Sequence, residues 1–318
     1  MKYLITKFRE YVEAQEENRE AYEKTSYWAS ENNACIRQVF WRWKKEKATN
    51  PPSVTGLQIM RTGKKVEEQI VEDWDRMGIL VSPPDGEDQH RIDIERFGVK
   101  ISGKLDAIIK EKTDDGKNIE TPVEIKSYYG DYQEYRLFDL QPNESYAKQL
   151  AIYMDALNKD RGILYMVNRG SGRQFQFIVI RKPKKYEIQG VTYVKKDPDN
   201  IESEEERLEF KVGFLEFTLE DAYNHFAKID EYVKKDELPS IPFYYKYPLT
   251  LERLKMQKNH NISKARTGKA VLGDWQCKYC PYKDKCLKEQ GVELGYTKEE
   301  HALLMELTKG YSSKKWRE

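Results

Sequence analysis

The run from Gly98 to Lys126, GVKISGKLDAIIKEKTDDGKNIETPVEIK, constrains the fold more than any other part of the chain. It reads as two strands joined by a turn. The turn is marked by the polar segment Lys112–Asn118, with Asp114, Asp115 and Gly116 at its centre. Asp106 stands in an otherwise apolar setting, LDAII, and further on Glu124 and Lys126 alternate with Val123 and Ile125. Strand side chains alternate between faces. If Val123 and Ile125 face a core, Glu124 and Lys126 project together from the other side. Two carboxylates and a lysine on neighbouring strands suit a hydrolytic site: the carboxylates bind a hard cation and the lysine orients or activates the attacking water. The same spacing also fits a half-buried hairpin carrying a surface ion pair.

Downstream, Ser145–Asn158 (SYAKQLAIYMDALN) places Ala147, Leu150, Ala151, Met154 and Leu157 at helical spacing. Gln149 and Tyr153, four apart, share one face of that helix. D…ExK followed by QxxxY resembles the RecB-like branch of the PD-(D/E)xK nuclease superfamily. Asp106, Glu124, Lys126, Gln149 and Tyr153 stand in that family's order, with Leu105 where the motif name has proline. The resemblance implies an α/β (α+β) fold with a restriction-endonuclease-like core, a mixed central sheet flanked by helices. It implies a metal-dependent DNA exonuclease that hydrolyses phosphodiester bonds from the ends of single- or double-stranded DNA. Asp106, Glu124 and the backbone carbonyl of Ile125 would bind one or two Mg²⁺ or Mn²⁺ ions. Lys126 would position the attacking water and stabilise the transition state, while Gln149 and Tyr153 would orient Lys126 or the scissile phosphate.

Gln58–Met77 reads as an amphipathic helix with a stripe of Ile59, Gly63, Val66, Ile70, Trp74 and Met77. Glu67 lies at the edge of that stripe, where a carboxylate needs a partner. In the resembling family this helix carries GxxxH or GxxxE, and Gly63–Glu67 fits the second form. Glu67 would then approach the metal directly or through water; otherwise it is an ordinary helix-surface glutamate. Arg61, Lys64 and Lys65 face either DNA phosphates or solvent.

The four cysteines are Cys35, alone, and Cys277, Cys280 and Cys286 in WQCKYCPYKDKC. The absence of an apolar export segment in MKYLITKFRE points to a reducing compartment, the cytoplasm or a host's cytoplasm if the gene is viral, and away from disulfides. The spacing C-x2-C-x5-C suits a metal or iron–sulfur site, although a zinc ribbon would offer a second close CxxC pair. A fourth ligand from Cys35 closes a loop costing about 5 kcal/mol in chain entropy. One cysteine before the nuclease motifs and three after them also resembles the iron–sulfur subset of RecB-like nucleases, including AddB-type and CRISPR-associated members. That resemblance implies a structural [4Fe-4S] cluster joining the N- and C-terminal segments, with Zn²⁺ in the same thiolates or unpaired cysteines as the alternatives. The chain accordingly divides into an N-terminal helical segment (1–50), a nuclease core (51–237) and a C-terminal cysteine segment (238–318).

A net charge of +1 shows no global basic field, so a DNA site would be a local patch. Charged residues make up 34% of the chain and mean hydropathy is −0.86, which excludes a membrane-spanning run. Met1–Lys24 reads as a polar helix and Ser30 as the cap of a second helix through Cys35 to Lys47. Trp41 and Trp43 in that second helix fit either base stacking or a core. Ile79–Ser82, His90–Phe97, Gly162–Asn168, Gln174–Arg181 and Glu209–Phe217 read as strands, and Thr218–Lys234 as a helix with a Thr218–Asp221 start signal. Tyr128–Asn143 reads as a loop touching DNA through Tyr132, Tyr135 or Arg136, and Lys182–Glu206 as an exposed hairpin or insertion. Thr297–Lys309 reads as a helix, and His90, His225, His260 and His301 as non-catalytic. No helicase phosphate loop occurs, so a motor in a helicase–nuclease or spacer-acquisition complex would be a separate chain. A non-catalytic or partner-dependent DNA-end-binding subunit of a recombination or repair complex is the other class the sequence allows.

Overall fold

A computed structural model describes residues 3–17, 24–83, 89–113, 115–138, 142–195, 206–241, 277, 279–289, 298, 302, 305 and 306. The chain separates into two compact units, residues 1–34 with 53–236, and residues 35–52 with 237–318. The first 34 residues therefore go with the sheet-bearing unit, and the segment around Cys35 goes with the C-terminal cysteines. The principal helices are α1 (Leu4–Glu17), α2 (Ile36–Trp43), α3 (Val54–Arg76), α4 (Asp131–Phe138), α5 (Glu144–Ala156), α6 (Leu219–Lys235) and α7 (Lys283–Glu289). The strands are β1 (Tyr27–Trp28), β2 (His90–Arg96), β3 (Val99–Leu105), β4 (Ala107–Lys112), β5 (Asn118–Tyr128), β6 (Arg161–Asn168), β7 (Gln174–Arg181), β8 (Tyr186–Lys195) and β9 (Glu206–Phe217).

Among its described residues, the first unit holds two sheets. The larger is mixed, in the order β4-β5-β6-β7-β8-β9, with β5 and β6 parallel and the other neighbours antiparallel. The smaller, which the sequence does not foreshadow, has the order β1-β3-β2. The stretch from Gly98 to Lys126 is accordingly three strands rather than two. It breaks at Asp106, where the chain leaves the small sheet and enters the large one.

Helices cover both faces of the large sheet. α3 starts where the Ser53 hydroxyl accepts the Gly56 N–H at 3.1 Å. Its Ile70, Val71 and Trp74 pack on Ala107, Ile109, Val123, Ile125 and Ile163. The ends of the expected stripe stay in solvent, with Ile59 54% and Met77 66% exposed. On the other face, Leu150, Ala151 and Met154 of α5 join Leu164, Met166, Phe175, Phe177 and Val179. The α5 contact is close because a Cβ at Gly162 would meet Met154 Sδ at 2.8 Å. Val123 and Ile125 do face a core, but Glu124, on the opposite face, is buried too.

Two local expectations change. Part of the stretch read as a loop is the helix α4, whose Leu137 is buried in the main core; its two turns are too short to show a period and rely on packing. Ser30 does not cap α2. It lies in a 3-10 turn, Ala29–Glu31, where Glu31 accepts the Trp28 N–H and pairs with Lys24, and α2 begins after Cys35. The charged 182–206 stretch contributes strand β8 and the start of β9, which pair as a hairpin. Thr218 caps α6 in a reciprocal box with Asp221, as expected. Residues 196–205 and 242–276, the latter including His260, together with His301 and most of Thr297–Lys309, lie outside the described residues.

In the second unit, Arg37 is 1% exposed and donates to the Pro239 carbonyl at 2.9 Å, pairs with Glu289 of α7 and lies 4.8 Å from the Trp41 ring. Trp41 also packs on Tyr282 at 5.3 Å, so it is a core aromatic here rather than a free stacking surface. The backbone N–H groups of Thr49 and Asn50 both donate to the Pro281 carbonyl, at 2.9 and 2.8 Å, tying the early segment to the cysteine loop.

Candidate active site

The site forms where the large sheet splits. β4 pairs with β5 only as far as Ala107 opposite Val123. Beyond that point β5, from Glu124 to Tyr128, has β6 as its only strand partner among the described residues. Asp106 turns the chain away, and its Oδ2 accepts the Ile125 N–H at 2.7 Å. A carboxylate thus takes the place of a ladder partner and is held at the mouth of the split, beside the segment that carries Glu124 and Lys126.

Glu124 is 1% exposed. One oxygen accepts from Lys126 Nζ, and the other, Oε2, is buried with no hydrogen-bond partner. Burial, reinforced by the charge of Asp106, pushes the Glu124 carboxyl up to about 8. Burial also raises Asp106, partly offset by Lys126 and the Ile125 N–H. Glu67, reaching in from α3, is pushed up to about 7 by burial and by Asp106, and its Oε1 accepts from Gln89 at 3.0 Å. Burial alone would depress Lys126, but Glu124 and Asp106 outweigh it and hold the side chain as an ammonium above its ordinary range.

Asp106 raises both Glu124 and Glu67, and Glu67 adds to the rise of Glu124, so the three carboxyls around Lys126 form a site short of positive charge. The Glu124 Oε2 is a buried acceptor with no hydrogen-bond partner among the described residues, and leaving it dry is costly. Carboxylate oxygens are the donors that Mg²⁺ or Mn²⁺ prefers, and Mg²⁺ needs only one or two of them because it keeps waters and borrows phosphate oxygens. Asp106 and Glu124 fit that demand, with Glu67 as a third carboxylate on the opposite wall. Among the described residues, no three His, Cys, Asp or Glu side chains converge as a complete ligand set.

Gln149 and Tyr153 are both buried, and their hydrogen bonds run to each other and to the backbone: Gln149 Nε2 donates to the Tyr153 hydroxyl at 3.1 Å, which donates to the Lys104 carbonyl at 3.3 Å. The Tyr153 ring fits under β3 only because residue 103 is glycine; a Cβ there would lie 2.7 Å from the hydroxyl and 2.8 Å from Cε1. The pair therefore braces the strand that leads into Asp106. Tyr146, one turn before Gln149 on the same face of α5, was not singled out by the motif. Its ring lies 5.4 Å from Lys126 Nζ. The i, i+3, i+7 spacing of Tyr146, Gln149 and Tyr153 is the signal that marks it. Gln89 has no such signal. The His90 ring nitrogen Nε2 is hydrogen-bonded to the Val81 carbonyl, and His225 is half-buried beside α5.

All four cysteines belong to the second unit. Burial first, then the nearby Cys35 and Cys277 sulfurs, push the Cys280 thiol up to about 11; burial, then the other three sulfurs with Arg37 opposing, pushes Cys286 up to about 12. Four thiols near enough to repel one another's thiolates are a soft donor set for iron or zinc, although among the described residues they do not converge as a ready ligand set.

A carboxylate at a strand junction, a strand-borne carboxylate and a lysine at the split edge of a mixed sheet, with helices on both faces, define a nuclease core. The model of the PD-(D/E)XK nuclease superfamily matches residues 3–287, and the chain belongs to that superfamily. No curated protein matches it. Similar solved structures include SSO0001, at 16% identity over 90% of this chain and 98% of that one with a TM-score of 0.43. Another is the alkaline exonuclease LHK-Exo of Laribacter hongkongensis, at 12% identity over 66% of this chain and 92% of that one with a TM-score of 0.35. Among the described residues, no helix is long and apolar enough to cross a membrane.

Proposed function

We propose that this nuclease is a RecB-like, metal-dependent exonuclease that hydrolyses phosphodiester bonds from DNA ends. The observation that carries the reading is the buried, unpartnered Glu124 Oε2 beside Asp106 and Lys126 at the split of the sheet. Asp106, Glu124 and the Ile125 carbonyl would hold the divalent cation, with Glu67 acting directly or through water. When bound, such a cation would supply a more acidic water and offset charge on the phosphoryl group. Lys126, kept as the ammonium, is a donor rather than a base: it orients the attacking water and stabilises the charge developing on phosphate oxygens. Tyr146 holds that ammonium in place, and Gln149 with Tyr153 keeps Asp106 in register through β3.

In the second unit, Cys35, Cys277, Cys280 and Cys286 hold a [4Fe-4S] cluster with a structural role. Support comes from their shared location, their electrostatic coupling and the C-x2-C-x5-C spacing. Thiols held above their ordinary range must lose protons when such a cluster forms, so its assembly is favoured by rising pH.

The test is degradation of end-labelled linear DNA against a closed circle with Mg²⁺, Mn²⁺ or EDTA, using anaerobically purified protein whose visible spectrum is recorded first. Metal-dependent loss of the linear DNA alone supports an exonuclease, and the label released first sets its polarity. Cleavage of the circle makes it an endonuclease, and a folded protein that binds ends without cutting is a binding or partner-dependent subunit. Brown protein with broad absorbance near about 400 nm supports the iron–sulfur assignment, and colourless protein carrying zinc overturns it.

A further inference from the structure

The strand that carries Lys126 runs on into Tyr129, whose side chain is left in solvent with the residue 74% exposed. Three residues of extended chain span about 10 Å, so Tyr129 stands within one or two nucleotides' reach of the site. The ring has a seat. It lies against Gly170, where a Cβ would come within 3.1 Å of ring atom Cε2. Gly170 belongs to the turn between β6 and β7, and that turn is tightly held. Asn168, 3% exposed, accepts from the Gly170 N–H at 2.8 Å and the Ser171 N–H at 3.4 Å, and donates to Glu134, which pairs with Arg173 at 3.1 Å. The Arg169 N–H donates to the Tyr128 carbonyl at 2.9 Å, and its guanidinium donates to the Ile59 carbonyl of α3 at 3.2 Å. A turn between two antiparallel strands does not need this bracing to close. It supports an aromatic face in water at the carboxyl ends of the parallel strands β5 and β6, the end of an open α/β sheet where ligands bind.

Resting on the nuclease reading above, we infer that Tyr129 is a stacking platform for a nucleobase of the DNA strand whose phosphate lies at Asp106, Glu124 and Lys126. A tyrosine ring offers a broad face at low conformational cost, and every base has a π-face, so the contact is independent of sequence. It holds the strand a short distance from the bond to be cut and favours an unpaired base over one stacked within a duplex.

The test uses a Lys126→Ala background with Mg²⁺, so that DNA stays intact, and fluorescein-labelled oligonucleotides in which one abasic position is walked inward from an end. Tyr129→Ala should bind the intact strand on the order of tenfold more weakly, the effect of losing one base–aromatic stack, and Tyr129→Trp should bind as the parent does. One abasic position should weaken the parent and have no further effect on Tyr129→Ala, the signature of a shared contact. Gly170→Val, which displaces the ring without removing it, should reproduce much of the loss. Unchanged melting temperatures exclude misfolding, as expected for so exposed a ring. Undiminished binding by Tyr129→Ala, or equal abasic penalties in both proteins at every position, overturns the platform and leaves the nuclease reading intact. Failure of the parent to bind DNA overturns both.

Discussion

Raising the pH in the presence of EDTA should destabilise this protein, and Glu124→Gln should remove much of that sensitivity. In the folded protein Glu124 is pushed from its ordinary 4.5 to about 8. The native state thus holds its proton over a range in which the unfolded chain has lost it. Stability linked to Glu124 is fully present below about pH 4.5 and is lost as pH rises through about 8. At about 1.4 kcal/mol per pH unit of displacement, the whole effect is about 5 kcal/mol, of which about 2 to 3 kcal/mol falls between about pH 6 and about pH 9. That corresponds to roughly 3 to 5 °C in melting temperature for a chain of this size. Glu124→Gln keeps the shape and one acceptor for Lys126 but has no proton to lose, so subtracting its pH profile from that of the parent isolates the carboxyl. Thermal melts across a pH series in EDTA make the measurement. Mn²⁺ should flatten the parent's profile by stabilising the ionised site, with a gain that grows with pH and reaches about 3 kcal/mol at a hundredfold excess over its dissociation constant. Parallel pH profiles for the two proteins in EDTA, or a Mn²⁺ gain that shrinks as pH rises, would refute the reasoning.

Lys126→Ala should lower cleavage by on the order of 10²–10⁴ with folding retained, the range for a positioned electrostatic group; a rate within a few-fold of the parent removes Lys126 from the chemistry. Gly103→Ala should cost about 1 to 3 kcal/mol through the clash of its new methyl with the Tyr153 ring, and should slow cleavage by shifting the strand that leads into Asp106; Gly103→Ala with Tyr153→Leu should recover stability but not rate, as denaturant melts and single-turnover assays would show. Cys277→Ala should bleach the visible absorbance and lower thermal stability while sparing the metal-dependent rate per folded molecule. A colourless parent, or a bleached variant with normal stability, counts against a structural cluster.

Much of the local structure was legible because it is periodic. The core stripe of α3 around Ile70 and Trp74 and that of α5 around Leu150 and Met154 repeat at helical spacing and pack as helices. Thr218 and Asp221 announce the start of α6 because a cap is written in adjacent residues. α4 was illegible for the converse reason: one buried leucine in two turns carries no period. Ser30 misled because any serine before an apolar run resembles a cap, whereas here the buried Lys24–Glu31 pair sets a different turn. Trp41 read equally well as a stacking surface or a core residue until Tyr282, remote in sequence, filled the space beside it.

The sequence by itself determined the chemical inventory and its order: Glu67, Asp106, Glu124, Lys126, the Gln149–Tyr153 pair and the four cysteines. It also determined that Glu124 and Lys126 share a face, since that follows from two-residue alternation along one strand. Only the tertiary structure decided that Asp106 stands between two sheets, that its carboxylate bonds the Ile125 N–H, and that Glu124 keeps a buried oxygen without a partner. Only it set Tyr153 under Gly103, Tyr146 beside Lys126 and Tyr129 over Gly170. Alternation and helical period act within a few residues along the chain. Where a sheet splits, which carboxylate loses its water and which ring finds a glycine depend on segments that meet across tens of positions, and burial acts on the groups they bring together.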